Sequence, residues 1–308
     1  MFERFFRVVW LVALGLLVGC ASSRPATTRS PATLAPPTQV SSDLTQLPET
    51  LGRIPVAIYG FRDQTGQYKP APDSSFSTSV TQGAAALLIK ALRDSRWFIP
   101  VERENLQNLL TERKIIRALE GPAGGAQPTQ TLPQLMPAHL IIEGAIVGYE
   151  SNVKTGGAGV RYLGVGASDA YRVDQVTINL RAVDIRTGQV LESISTTKTI
   201  YSIQLDFGGF RFVSLKSLLE YEVGFSQNEP VQLCVREAIE TALVHLITQG
   251  IRDRLWALKN PEDFNAPLVQ NYLKAYDNQL QLTPDEYAGE NLRKLAPGRQ
   301  GNPSNVDS

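Results

Sequence analysis

The sequence predicts an α+β domain that carries two inserted β-hairpins, and three observations lead there. Between residues 51 and 260, short apolar runs closed by turn residues alternate with stretches of helical periodicity. Two segments, 149–173 and 200–225, interrupt that alternation with patterns of their own. A charged, then apolar, cysteine-ended segment stands before everything and fits neither pattern.

With 308 residues, 43% of them hydrophobic, the chain can bury the core of one or two domains. Thirty basic residues balance thirty acidic ones, so the overall charge gives no reason to expect nucleic acid as a partner. The two cysteines, Cys20 and Cys234, make no disulfide framework.

In MFERFFRVVWLVALGLLVGC, Arg4 and Arg7 precede an apolar run from Val8 to Val18. That run is too short to cross a bilayer, which takes about 20 helical residues. The closing Leu17-Val18-Gly19-Cys20 resembles the bacterial lipobox, whose cysteine becomes the lipidated first residue of the mature chain. Residues 1–19 are then a lipoprotein signal peptide. Cys20 carries a covalent diacylglycerol and N-acyl lipid, and no other cofactor is expected. An aspartate after the cysteine would hold a lipoprotein at the inner membrane; Ala21 points instead to the bacterial outer membrane. Residues 20–50, with five prolines beyond Cys20 and many Ser and Thr, are expected as the lipidated cysteine and a flexible tether.

In the body, VAIYGF (Val56 to Phe61) lies between Pro55 and the turn signal Asp63-Gln64-Thr65-Gly66 and predicts a buried strand. The Ala- and Leu-rich stretch from Thr78 to Leu92 predicts a helix, and Trp97 to Val101 a second strand. Leu106, Leu109 and Leu110 recur at helical spacing up to a stop at Pro122, and His139 to Val147 predicts a further strand. Val231, Cys234, Val235, Ala238, Ala242, Leu243 and Leu246 mark the strongest helix of the chain. Cys234 lies in its apolar stripe and reads as a packed core thiol. Residues 51–148, 174–199 and 226–260 make up the expected periplasmic α+β domain, and 261–308 a polar, partly disordered C-terminal tail.

The second inserted segment alternates in both arms. Tyr201, Ile203, Leu205 and Phe207 share one face of the first arm, against Ser202, Gln204 and Asp206. Leu219, Tyr221, Val223 and Phe225 do the same in the second, interleaved with Glu220 and Glu222. Each arm with its flanks reaches about 10 residues, the length of a tilted strand across the apolar layer. In the first segment, Val153, Val160, Tyr162, Leu163 and Val165 are scattered among glycines and give a weaker pattern. Alternation by itself also describes half-buried strands of a soluble sandwich. The lipobox, the paired aromatic arms and the insertion of both hairpins into an otherwise complete domain favour transmembrane hairpins. The apolar set then faces lipid, and Ser202, Gln204, Asp206, Glu220 and Glu222 face the lumen. Two hairpins supply four strands, and membrane barrels need about eight, since open edges cannot stand in hydrocarbon. The chain must then oligomerise around a polar lumen.

No catalytic constellation assembles from the sequence. His139 opens an apolar strand and His245 sits in the amphipathic helix, so both read as structural. Gly166-Ala167-Ser168-Asp169-Ala170 lacks the final glycine of a nucleophile elbow, and no cysteine pair frames a metal. Besides a pore, the sequence leaves open a soluble periplasmic lipoprotein that acts as a binding or assembly scaffold.

RIPVAIYGFRDQTGQYKP, ALRDSRWFIPVERENLQNLLTERKIIRA, GYESNVK and NEPVQLC resemble the diagnostic segments of the curli secretion channel (CsgG) family. The likeness runs from the lipobox to about Leu258. It implies a nonamer whose protomers each give two hairpins to one 36-stranded barrel above a periplasmic vestibule. Such a channel exports unfolded curli subunits, the units of extracellular amyloid, without ATP. Its partners are a periplasmic capping accessory and an extracellular nucleation accessory. In the family, a tyrosine, an asparagine and a phenylalanine ring the pore constriction. Aligned on GQYKPAPDSSFSTSV they fall at Ala71, Ser75 and Phe76, of which only Phe76 keeps the pattern. The smaller Ala71 and Ser75 imply a wider or less selective constriction.

Overall fold

The computed structural model describes residues 34, 37–69, 77–119, 132–155, 170–205, 209–212 and 229–281. The chain divides into two units, Met1–Pro36 and Pro37–Ser308, and the elements below belong to the second. One mixed sheet contains β1 (Ile54–Ala57), β2 (Phe61–Asp63), β3 (Phe98–Val101), β4 (Leu140–Thr155), β5 (Ala170–Asp184), β6 (Val190–Leu205) and β7 (Gly209–Phe212). Its order is β3-β1-β4-β5-β6-β7, with β2 also paired to β4. The contacts of β1 and β2 are parallel, and those from β4 to β7 are antiparallel. The helices are α1 (Gln39–Thr45), α2 (Ala84–Asp94), α3 (Leu106–Leu119), α4 (Glu229–Arg252) and α5 (Pro267–Gln281). The architecture is the expected α+β class.

Helices cover one face of the sheet. Along β5, Asp174, Val176, Ile178, Leu180 and Ala182 are buried, while Gln175, Thr177, Asn179 and Arg181 between them reach solvent, the period of two that a half-covered strand requires. On the covered face they join Ile142, Ile146, Ile194 and Ile200 in one core with α4. All seven stripe positions named for that helix are buried, and so are Ile239, Val244 and Ile247. The helix is therefore covered on more sides than an amphipathic stripe predicts. Gly250 permits one of these contacts. A Cβ there would stand 2.0 Å from the Trp256 ring, which folds back so that its Nε1 donates to the Ile247 carbonyl at 2.9 Å.

Several boundaries differ from the sequence reading. The single strand expected over Val56 to Phe61 is two, because the chain breaks at Ile58–Gly60 and resumes farther along β4: Ala57 pairs with Ile141 and Phe61 with Gly144. Phe61 packs flat on that glycine, where a Cβ would meet its ring at 2.5 Å. The helix expected from Thr78 starts at Ala84, since Thr78 pairs with Tyr68 and the Thr81 hydroxyl accepts from Gly83 N at 3.1 Å. The tether expected to Thr50 ends earlier. Thr38 and Ser41 form a capping box for α1, which buries Leu44. The polar tail expected from residue 261 begins with a 3-10 turn, Pro261–Asn265, and then α5, which buries Val269 and Leu273.

β4, β5 and β6 are 16, 15 and 16 residues long, well beyond the five or six usual in a strand. The β4–β5 ladder runs from Leu140↔Asp184 to Thr155↔Ala170, and β5–β6 from Val183↔Val190 to Tyr171↔Ile203. The core strands thus continue, still paired, into the two segments read as insertions. A register shift at Val147 in β4 marks the approach to the first of them.

Candidate functional site

Two features of the described chain converge where β4 leaves the helix-covered part of the sheet. The first is the base of a loop. At the turn after β2, Asp63 Oδ1 accepts from Thr65 N at 2.9 Å and Thr65 Oγ1 at 2.7 Å, and Gly66 takes φ 64°. The chain then runs out through Tyr68 and returns through Thr78, which pair antiparallel. Lys69 N donates to Ser77 O at 2.8 Å and Ser79 N to Gln67 O at 2.9 Å, so the loop between them is closed at its neck. That loop contains Ala71, Ser75 and Phe76, which lie outside the described residues. Two bonds tie the neck to β4: Gln64 N to Ile146 O at 2.9 Å, and Gln67 Nε2 to Tyr149 O at 2.8 Å.

The second feature is a set of polar contacts at the level where the strands run on. The Tyr149 hydroxyl donates to Asp174 Oδ1 at 3.0 Å, with both residues buried. Lys198 on β6 pairs with Glu237 on α4 at 2.6 Å, and the Thr196 hydroxyl donates to the Ala238 carbonyl at 2.8 Å. Cys234 lies among these groups. Burial, and next the charge of Asp174, push its thiol far above the ordinary range, so it stays a neutral core group as expected. On the open face, Asn179 donates to Ser193 at 3.2 Å and Ser195 at 3.1 Å, and Arg181 pairs with Glu143 at 2.9 Å beside a groove of 490 Å³ that Tyr59, Arg62 and Gln64 also line.

Of the residues assigned to the second hairpin, Tyr201, Ser202, Ile203, Gln204 and Leu205 belong to β6. Their strand partner is Gly209–Phe212, with Ser202↔Phe212 and Leu205↔Gly209. The strand that pairs with this arm therefore begins at Gly209, ten positions before Leu219, where the alternation resumes. Cys20, Asp206, Phe207, Glu220, Tyr221, Glu222, Val223 and Phe225 lie outside the described residues, as do Gly166 to Asp169.

Sequence reasoning missed a buried clamp. Arg236 Nε donates to Glu240 Oε1 at 2.9 Å, one helical turn away in α4. The other oxygen of Glu240 accepts from the hydroxyls of Thr38 and Ser41, the latter at 2.8 Å, and Arg236 Nη2 reaches Ser41 Oγ at 3.3 Å. The signal was present as a capping box followed far downstream by an i,i+4 ion pair, but nothing in sequence joins them. His245, read as structural, sits on α4 against Tyr272 and Tyr276 of α5, and burial lowers its pKa to about 4. Among the described residues no group of His, Cys, Asp and Glu could hold a metal ion, and no helix is long and apolar enough to cross a membrane.

A family model described as curli production assembly/transport component CsgG matches residues 38–276. The CsgG protein of Salmonella typhimurium is 48% identical over 280 residues, covering 91% of this chain and 99% of that one. Its counterpart in Escherichia coli is 48% identical over 267 residues, covering 86% and 96%. Among solved structures, the PelC dodecamer from Paraburkholderia phytofirmans is 12% identical and covers 49% of this chain and 73% of that one, with a TM-score of 0.23, too low to bear on assembly. The family match starts at the Thr38 cap of α1 and ends within α5, so it extends past the Leu258 limit read from sequence and takes in both helices that composition had hidden. The chain belongs to the CsgG family of curli production assembly/transport components, which is not a family of enzymes.

Proposed function

We propose that this protein is the outer-membrane channel through which unfolded curli subunits leave the cell. The observation that carries this reading is the unbroken pairing of β4, β5 and β6 beyond the part of the sheet that helices cover, in a chain of the curli assembly/transport family. Strands that run on while still paired are what a protomer needs if it contributes to a shared barrel, because every backbone group within hydrocarbon must be bonded. Segments 149–173 and 200–225 are the transmembrane hairpins of this reading, and nine protomers with four strands each close 36 strands.

Cys20 then holds the lipid anchor after residues 1–19 are removed, and the α+β domain hangs in the periplasm. Tyr201, Ile203, Leu205, Phe207, Tyr221, Val223 and Phe225 face lipid, while Ser202, Gln204, Asp206, Glu220 and Glu222 face the lumen. The loop whose neck is tied to β4 narrows the path with Ala71, Ser75 and Phe76. An aromatic collar suits a cargo without fixed structure, since it offers weak contacts to any passing side chain. The periplasmic accessory caps the entrance, the extracellular accessory receives the subunit, and transport needs no ATP.

Reconstitution in planar bilayers, with electron microscopy of detergent-extracted particles, tests this. Ring-shaped particles and discrete conductance steps are expected, with larger steps for Phe76→Ala and smaller ones for Ala71→Tyr. A protein without residues 1–20 that stays monomeric in water, together with a full-length protein that never conducts, would replace the pore with the scaffold reading.

A further inference from the structure

α5 lies across a defect in α4. Gln249 is 1% exposed, yet neither its side-chain oxygen nor its nitrogen finds a hydrogen-bond partner among the described residues, and the same holds for His245 Nδ1 one turn earlier. Buried polar groups left this way oppose burial, because water would bond them. The cover over His245 is aromatic. The Tyr272 ring meets the imidazole edge-on, with centroids 5.1 Å apart, and Tyr276 lies at 6.1 Å. Other contacts hold α5 as well, among them Leu268 against the core. Val269 and Leu273 are buried, Tyr272 Oη donates to Asp43 of α1 at 2.7 Å, and Asp277 pairs with Arg252 at 2.7 Å, where the guanidinium also stands over Tyr276 at 5.6 Å.

We propose that α5 is an acid-released strap: it closes over a neutral His245, and protonation of that imidazole lifts it from α4. A cation there would have its Nδ1 shut off from water behind two tyrosine rings, with no carboxylate among the described residues bonded to it. The carboxylates nearby are engaged elsewhere, Asp43 with Tyr272 and Asp277 with Arg252. The imidazole is therefore held neutral while the strap is closed, with its pKa lowered to about 4, and returns toward the ordinary 6.5 when the strap opens. Closure is favoured at and above neutral pH and weakens as pH falls from about 6.5 toward 4. Glu192 also titrates near this range: burial first, and then the bond and charge of Asp253, raise its pKa to about 7, against a smaller lowering by Arg252. Tyr272 stays protonated throughout, because burial and its bond to Asp43 raise its pKa.

Hydrogen–deuterium exchange of the full-length protein in detergent, at pH 7.5 and pH 5 with correction for intrinsic exchange, reads the strap directly. Protection of residues 267–281 is expected to fall about 30-fold at pH 5 while that of α2 and β5 holds. His245→Phe keeps the ring contacts without a titrating group and should show no such fall. Glu192→Gln should retain it. If His245→Phe does not fold, Tyr272→Phe gives a second route: weaker protection at both pH values, with the same ratio between them. Constant protection in the unaltered protein, or a fall that survives in His245→Phe, would overturn the proposal.

Discussion

The Tyr149 hydroxyl donates to the Asp174 carboxylate across the β4–β5 ladder at 3.0 Å, and the Tyr149 carbonyl accepts from Gln67 on the other side. One residue thereby joins the neck of a loop, the strand that carries it and the neighbouring strand. Asp174 is 2% exposed, so removing this donor takes one hydrogen bond from a carboxylate that water barely reaches. Tyr149→Phe is expected to destabilise the domain by about 1–3 kcal/mol. Asp174→Asn, which can still accept from Tyr149, should cost less. Chemical unfolding followed by circular dichroism would rank them, and equal midpoints for Tyr149→Phe and the unaltered protein would show that the bond contributes nothing.

The clamp between Arg236 and Glu240 gives a sharper contrast, because both side chains are buried, at 10% and 5% exposure. Glu240→Ala removes one partner of this buried pair, the carboxylate that accepts from Arg236 Nε, a change that typically costs about 3–5 kcal/mol. Arg236→Met combined with Glu240→Leu removes both charges and should recover most of that loss. The same variants report on α1. Once Glu240 no longer accepts from Thr38 and Ser41, the segment before Leu44 should become the first site of limited proteolysis. If the single and double variants lose equal stability, the effect comes from packing instead of charge.

The sequence made some of these features legible and hid others for physical reasons. The stripe of α4 was plain because Val231, Cys234, Val235 and Ala238 repeat at helical spacing over a long segment. The long strands were visible only in part. Alternation located Tyr201 to Leu205 within a strand, but it could not choose a partner, and the short partner Gly209–Phe212 carries too little alternation of its own to stand out. α1 was missed because Thr38, Ser41 and Ser42 resemble tether composition, and only Leu44 and Leu47 signal burial there. α5 was missed for a similar reason: its polar face dominates, and its hold on the body runs through Tyr272 and Tyr276 to His245 and through the Tyr272 hydroxyl to Asp43, far upstream in sequence. Contacts such as Tyr149 with Asp174 need the register, which no local pattern states.

Glu192 makes stability depend on pH. Burial first, and then the bond and charge of Asp253, raise its pKa from 4.5 to about 7. The folded state therefore binds this proton more tightly than the unfolded chain does. The resulting stability is fully present below pH 4.5, is lost as pH rises through about 7, and changes little beyond. Glu192→Gln should raise the melting temperature at pH 8, by about 1 kcal/mol in stability once screening by solvent is included. The difference should close by pH 4.5. A variant with the same advantage at both pH values would mean that the charge of Glu192 is not its source.

Leu205 and Gln204 are adjacent in β6, and successive positions of a strand belong to opposite faces of its sheet. In the proposed barrel the first faces hydrocarbon and the second the lumen. An arginine on a lipid-facing position costs about 2–4 kcal/mol at the bilayer midplane, and the proposed nine-protomer ring would multiply that cost. Leu205→Arg should abolish heat-resistant oligomers in the membrane fraction while α4 and the core sheet stay folded, as circular dichroism of the extracted protein would show. Gln204→Arg should insert normally and change only the conductance or ion selectivity. A reversal of that pattern would exchange the two faces and shift the register of the lipid-facing set by one residue, whereas indifference to both substitutions would place this part of β6 outside the membrane.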